Sequence, residues 1–289
     1  MSSIMLTTML VLFALSVPIA VAIGMGSIVG ILSSDGASLL IVGQQMFTSL
    51  DKYPLAAIPF FILAGNLMES GGISARLVEF AKSIVGGVQG GLAATCVLTC
   101  MIFAAVSGSS VATTFAIGAI LIPAMVKHGY PVSFAAALQA TSAELGVIIP
   151  PSIPMILYGI SADVSVAELF IAGVGPGLLI GGVLIVTVLV WARIKGYGKL
   201  DREGRVPLLE STRRAALALL MPVIILGGIY GGVFTPTEAS VVAVFYAVIV
   251  GMLIYREISV ADLVRVLRRS VISSTVILMI IACAGMFSF

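Results

Sequence analysis

The residues best placed for chemistry are small, uncharged and set in pairs of interruptions. Val106-Ser107-Gly108-Ser109-Ser110 lies near the middle of a stretch without a charged residue between Lys82 and Lys127. The run Glu144-Leu145-Gly146-Val147-Ile148-Ile149-Pro150-Pro151-Ser152-Ile153-Pro154 interrupts the next apolar segment. A proline brings no amide hydrogen and clashes with the preceding turn, so paired prolines after a glycine break a helix and leave carbonyls without partners. Such carbonyls, with nearby hydroxyls, are oxygen donors suited to Na+. Glu144 beside the break has two open readings: a proton carrier, because intramembrane carboxylates are functional by default, or a cap and brace for the broken helix. A small-residue packing face and a plain kink are the alternatives for the two motifs. Two interruptions in consecutive segments favour an ion site over either.

The elements that must position these motifs are membrane helices. Hydrophobic residues make up 60% of the 289, and charged residues 10%; a soluble domain carries roughly 25% charge. Mean hydropathy is +1.21, and apolar windows of about 20 residues, the length of one bilayer crossing, recur along the whole chain. The fold expected is therefore an all-α polytopic membrane protein. With a formal net charge of +2 and basic residues that cluster in loops without interleaved aromatics, nucleic acid is not an expected partner. Met1-Ser2-Ser3 lacks a basic n-region, so the run after it reads as a retained span and not as a cleaved signal. Cys96, Cys100 and Cys283 sit in apolar stretches without a CxxC, and His128 is the only histidine, so neither a transition-metal site nor a disulfide framework is expected. Gly24-Met25-Gly26-Ser27-Ile28-Val29-Gly30 misses the dinucleotide spacing by one residue and reads as close helix packing. GxSxG, HExxH and Walker A patterns are absent, so no enzyme is expected.

Charge fixes a topology. Arg193, Lys195, Lys199, Arg202, Arg205, Arg213 and Arg214 gather in one loop, and positive loops stay in the cytoplasm. Counting from there, 168–192 runs inward, 215–233 outward and 238–255 inward. Upstream, 131–159 runs outward from Lys127 toward Asp163. The uncharged stretch before it, about two spans long, enters and leaves on one face, so its arms at 90–106 and 111–126 form a re-entrant hairpin with its tip at Ser107–Ser110. The span at 54–70 comes inward, and a first span at 4–33 goes outward from a cytoplasmic N-terminus. Span, short amphipathic connector and span occur at 4–33, 37–50 and 54–70. They recur with reversed directions at 238–255, 259–269 and 271–289. Inverted repeats of this kind mark secondary transporters.

At these motifs the chain resembles a known family, the large membrane subunit of tripartite ATP-independent periplasmic (TRAP) transporters. The similarity runs through Pro59-Phe60-Phe61-Ile62-Leu63-Ala64-Gly65-Asn66-Leu67-Met68, Ser107-Gly108-Ser109-Ser110-Val111-Ala112-Thr113-Thr114, Gly146 to Pro154, and Phe234-Thr235-Pro236-Thr237-Glu238-Ala239. The resemblance implies the elevator fold of the ion-transporter superfamily, with a re-entrant hairpin, a broken helix and inverted repeats, the second incomplete here. It divides the chain into scaffold helices at 1–82, the transport-domain hairpin and broken helix at 83–159, scaffold helices with the basic loop at 160–235, and the start of the second repeat at 236–289. It implies Na+-coupled uptake of a carboxylate, such as a C4-dicarboxylate or sugar acid, with Na+ as the coupling ion and no further cofactor. The partners implied are a periplasmic substrate-binding protein and a small TRAP membrane subunit, and the location is the bacterial inner membrane.

By the same resemblance, one Na+ is held by Ser107, Ser110, Gly146, Ile149 and Pro151, largely through backbone oxygens. Gly108, Ser109, Thr113, Glu144, Pro150 and Ser152 lie near it. Members of the family continue through a second hairpin and a second broken helix, so the chain is expected to be a truncated member holding one of two half-sites. A related carrier that works without a binding protein, and a non-transporting membrane scaffold, are the competing readings.

Overall fold

The computed structural model describes residues 2–33, 40–198 and 207–288. Lys199, Arg202 and Arg205 of the basic loop, and the first residues of the expected 37–50 connector, lie outside them. All regular structure among the described residues is helical. The chain forms two compact units, one of residues 1–56 with 269–289 and one of residues 57–268.

In the first unit, α1 (Ser2–Ala14) and α2 (Ile19–Leu32) replace the single span expected at 4–33. The break falls at Ser16, which has φ +61°, and at Pro18, which lacks the amide needed to continue a helix and disfavours helical geometry in Val17 before it. The two arms fold back on each other, with Gly26 against Met9 and Gly30 against Met5, where a Cβ on Gly30 would stand 1.9 Å from Met5 Cγ. The Gly24–Gly30 run is thus close helix packing, as its composition predicts. Arms of 13 and 14 residues extend only about 20 Å each at 1.5 Å per residue. The cytoplasmic N-terminus inferred from one outward span therefore loses that support. Helix α3 (Leu40–Leu50) follows, and its Ser49 lies against Gly285.

The second unit carries the motifs. It opens with α4 (Ala57–Ser70), and α5 (Ile73–Val85) is bent 73° from the segment Tyr53–Ser70. The uncharged stretch folds as α6 (Gly91–Ser107) and α7 (Ser110–Lys127), the two arms expected. The next segment is α8 (Val132–Ala143), a single turn α9 (Leu145–Ile148), an extended break, and α10 (Ile153–Ala162), with a bend of 42°. Long apolar helices α11 (Val166–Lys195) and α12 (Leu208–Tyr230) follow, then α13 (Pro236–Val248), extended by a π-helical turn over Ile249–Ile254. Helix α14 runs unbroken over Val260–Phe287. The separate amphipathic connector expected at 259–269 is therefore the first part of α14, because Arg265, Arg268 and Arg269 are good helix formers and no proline or glycine separates them from the apolar residues beyond.

Five of these helices are long and apolar enough to cross a membrane, and the two bent segments bring the number to seven if each is one span. Exposed apolar side chains such as Leu178, Leu179, Val183, Val186 and Val190 cover one face of α11, as a lipid-facing surface requires. This is a multi-pass membrane protein. Its opposite α11 face bears Gly173, Gly177 and Gly181 at every fourth position, all buried, and this ridge seats the site described below.

The Phe234–Ala239 motif has a structural use. Thr235 is the N-cap of α13: its hydroxyl oxygen accepts the Glu238 amide at 3.3 Å, and Glu238 Oε2 accepts the Thr235 amide at 2.8 Å. This is a reciprocal capping box. Thr235→Ala is expected to cost about 1 kcal/mol of stability, and Thr235→Ser to restore it, measured by denaturant unfolding in detergent.

Candidate ion site at the hairpin tip and helix break

Helix α6 ends because Gly108 adopts φ +61°, a left-handed geometry that glycine enters without steric cost. Helix α7 restarts two residues later, with Ser109 as its N-cap: the Ser109 hydroxyl oxygen accepts the Ala112 amide at 3.3 Å. The break after α9 is built the same way. Ile149 is extended, Ser152 caps α10 by accepting the Met155 amide at 3.4 Å, and the Ser152 hydroxyl donates to the Val147 carbonyl at 2.5 Å. Each interruption thus consists of a helix end, a short irregular segment and a serine-capped helix start.

The two interruptions pack directly on one another. A Cβ on Gly108 would stand 2.6 Å from the Pro151 carbonyl oxygen, and one on Gly146 would stand 3.0 Å from the Ser109 carbonyl and 3.1 Å from the Ser110 nitrogen. The Ile153 amide donates to the Gly108 carbonyl at 3.2 Å, joining the two strands of irregular backbone. A side chain at Gly108 would push the two apart, and at Gly146 even a methyl group would fit only if the backbone beside it gave way by a few tenths of an ångström. Gly65 of α4 closes the tip from another side, 3.2 Å from Ser107 Cβ when given a Cβ. The α11 ridge closes the break, with Gly173 against the Ile148 carbonyl and Gly177 against Ile149. These supports were missed in the sequence, although glycines at every fourth position in an apolar helix are a legible sign of close approach.

Backbone accounting identifies the available oxygens. In a continuous helix the carbonyls of Gly146 and Val147 would accept amides from residues 150 and 151, but both are prolines and have none to give. The Ser152 hydroxyl fills the Val147 carbonyl; the Gly146 carbonyl keeps no helical partner. At the tip, the Ser109 carbonyl is taken by the Thr113 amide at 3.1 Å and hydroxyl at 2.8 Å, and the Ser110 carbonyl by the Thr114 hydroxyl at 2.8 Å. Ser110 therefore has its hydroxyl to offer and not its carbonyl. Ser107 is 1% exposed, its hydroxyl 3.3 Å from that of Thr113. The structure thus brings Ser107, Gly108, Ser109, Ser110, Thr113, Gly146, Ile149, Pro150, Pro151 and Ser152 into one region.

Glu144 lies two residues before Gly146 in the chain. It precedes α9 but makes no side-chain cap, so it does not serve as the cap considered from the sequence. Its exposed side chain lines a pocket of about 450 Å³ with Ala140, Thr141, Leu145 and Ile148, and with Ile180 and Leu184 of α11. No group of three or more His, Cys, Asp or Glu residues gathers among the described residues. The three cysteines are buried free thiols.

Comparison with known proteins agrees with this architecture. The family described as the tripartite ATP-independent periplasmic transporter, DctM component, matches residues 6–289. A C4-dicarboxylate TRAP transporter large permease protein of Vibrio cholerae is 48% identical over 83% of this chain and 53% of its own length. One of the same description from Pseudomonas aeruginosa is 43% identical over 92% of this chain and 62% of its length. An isethionate TRAP transporter permease protein of Oleidesulfovibrio alaskensis is 40% identical over 94% of this chain and 43% of its length. The chain thus spans roughly half of the length of the curated relatives it matches. These relatives are named as permeases and not as enzymes. With the match covering nearly every residue, the chain belongs to the DctM component family of TRAP transporter large permeases.

Proposed function

We propose that the chain binds Na+ between the α6–α7 tip and the α9–α10 break, as part of a permease that couples Na+ to uptake of an organic acid. One observation carries this reading. The C-terminal end of α6 packs at Gly108 on the Pro151 carbonyl, Gly146 of α9 packs on the Ser109 carbonyl, and proline at position 150 removes the amide that the Gly146 carbonyl would accept. Carbonyl ends of broken membrane helices coordinate cations, whereas N-terminal ends favour anions. Ser107, Ser110, Gly146, Ile149 and Pro151 are assigned to the ion. The N-terminal ends of α7 and α10 start beside the same site, which suits a substrate carboxylate next to the cation.

The elevator reading follows from the same parts. Residues 83–159 would move as the transport body. The smooth glycine face of α11 offers a surface along which it could shift. Relatives named for C4-dicarboxylate and isethionate support a small carboxylate or sulfonate as the substrate class. A periplasmic binding protein would deliver it, a small TRAP membrane subunit would complete the scaffold, and the bacterial inner membrane is the expected location, with the Arg193–Arg214 loop in the cytoplasm.

A cysteine at Ser109 tests the ion site, because Ser109 is half-buried at the tip while the native cysteines are buried. In Na+ at about ten times its dissociation constant, alkylation of Ser109→Cys should slow roughly tenfold relative to K+ at equal ionic strength. Equal rates in the two salts would count against Na+ at this place.

A further inference from the structure

We infer that Gln139 is a positioning residue for the ion site, setting the register of both hairpin arms against the broken helix; this rests on the Na+ reading above. Gln139 lies in α8, is 1% exposed, and is not part of the cation's proposed oxygen set. Its carboxamide reaches both arms at once. On the α6 side, Oε1 accepts from the Cys96 thiol at 3.1 Å and lies 3.9 Å from the Cys100 sulfur. On the α7 side, Nε2 donates to the Thr113 carbonyl at 3.2 Å, with Cys100 Sγ 3.6 Å away.

Thr113 is the link to the site. It sits in the first turn of α7, its hydroxyl donates to the Ser109 carbonyl at 2.8 Å, and it stands 3.3 Å from the Ser107 hydroxyl. A hydrogen-bonded path therefore runs from Gln139 through Thr113 to both sides of the Gly108 turn. Room for the side chain comes from Gly118 of α7, where a Cβ would stand 3.1 Å from Gln139 Cγ.

An apolar side chain of similar volume would fill this space, but it would not fix where α7 stands along α6 and α8. The surrounding α8 residues, such as Ala135, Leu138, Ser142 and Ala143, are apolar or small and offer no directional contact to set that register. A polar group bonded to both arms supplies it.

The test is a Na+ titration of the thermal midpoint of the purified chain in detergent, with K+ replacing Na+, for wild type, Gln139→Met, Gly118→Ala and Thr99→Val. Thr99 is a fully buried α6 residue whose hydroxyl has no partner, so its substitution reports general packing near the same helix. Gln139→Met should raise the half-effective Na+ concentration about tenfold, the equivalent of about 1.4 kcal/mol. Gly118→Ala should raise it by a smaller factor, and Thr99→Val should leave it unchanged. A Gln139→Met variant with a lower midpoint in K+ but the wild-type half-effective concentration would show a structural role only and overturn the inference. Where Gln139→Met does not fold, Gly118→Ala decides: a raised half-point supports the inference and an unchanged one overturns it. A wild-type chain whose midpoint ignores Na+ would overturn the ion site itself, and this inference with it.

Discussion

Replacing Pro150 and Pro151 together by alanine is expected to abolish Na+ binding while leaving a folded and slightly more helical protein. The prolines matter through the amides they lack. Two alanines restore donors to the carbonyls of Gly146 and Val147 and favour a continuous helix by up to about 3 kcal/mol per position. What holds the break open against that gain is smaller: the bond from the Ile153 amide to the Gly108 carbonyl and the two bonds of the Ser152 hydroxyl, to the Val147 carbonyl and from the Met155 amide, are worth about 1 kcal/mol net each. Helix closure should therefore win. The Gly146 carbonyl turns into the helix, and the thermal midpoint should no longer depend on Na+. Circular dichroism checks the gain in helix, and the salt titration checks the loss of the ion. A variant that gains helix yet keeps its Na+ dependence would place the ion elsewhere.

The second large effect falls at Gly108. Alanine there carries the left-handed strain of φ +61°, roughly 1–2 kcal/mol. It also drives a methyl group against the Pro151 carbonyl, 2.6 Å away, an overpacking cost of about 1–3 kcal/mol. Only backbone movement relieves that contact, and the movement opens the tip from the break. Na+ affinity should fall by at least about thirtyfold, since 2 kcal/mol corresponds to that factor. Gly129 provides the control: it has φ +85° but nothing within 4 Å of an added Cβ. Gly129→Ala should share the loss in stability and keep wild-type Na+ affinity. Equal effects of the two substitutions would reduce the Gly108 result to backbone strain.

Much of the site was legible because glycine and proline act locally. Ser107–Ser110 and Gly146–Pro154 interrupt long apolar runs, and both interruptions stand at the positions expected, within a residue or two. Their mutual contact was not legible, since spacing along the chain does not say that Gly146 lies on Ser109. The choice of donor atom at Ser110 also needed the structure, because only there does the Thr114 hydroxyl occupy its carbonyl.

Two expectations failed for opposite reasons. Between α1 and α2, the uniform apolarity of the run hid the turn that Pro18 imposes. In α14, the charge pattern of 259–269 suggested a separate element where good helix formers simply continue. Gln139 was overlooked because a lone polar residue among small ones has no periodicity to announce it. The glycine ridge of α11 had a visible spacing, but not a visible partner.

The most direct measurement is equilibrium binding of radiolabelled sodium to the purified chain in detergent, for wild type and for the Pro150→Ala, Pro151→Ala double variant. The arrangement of α6, α7, α9 and α10 predicts saturable binding of one ion per chain in the wild type, displaced by unlabelled Na+ and not by K+, and none in the variant. Absence of saturable binding in the wild type, or the same binding in both proteins, would contradict an ion site between the hairpin tip and the helix break.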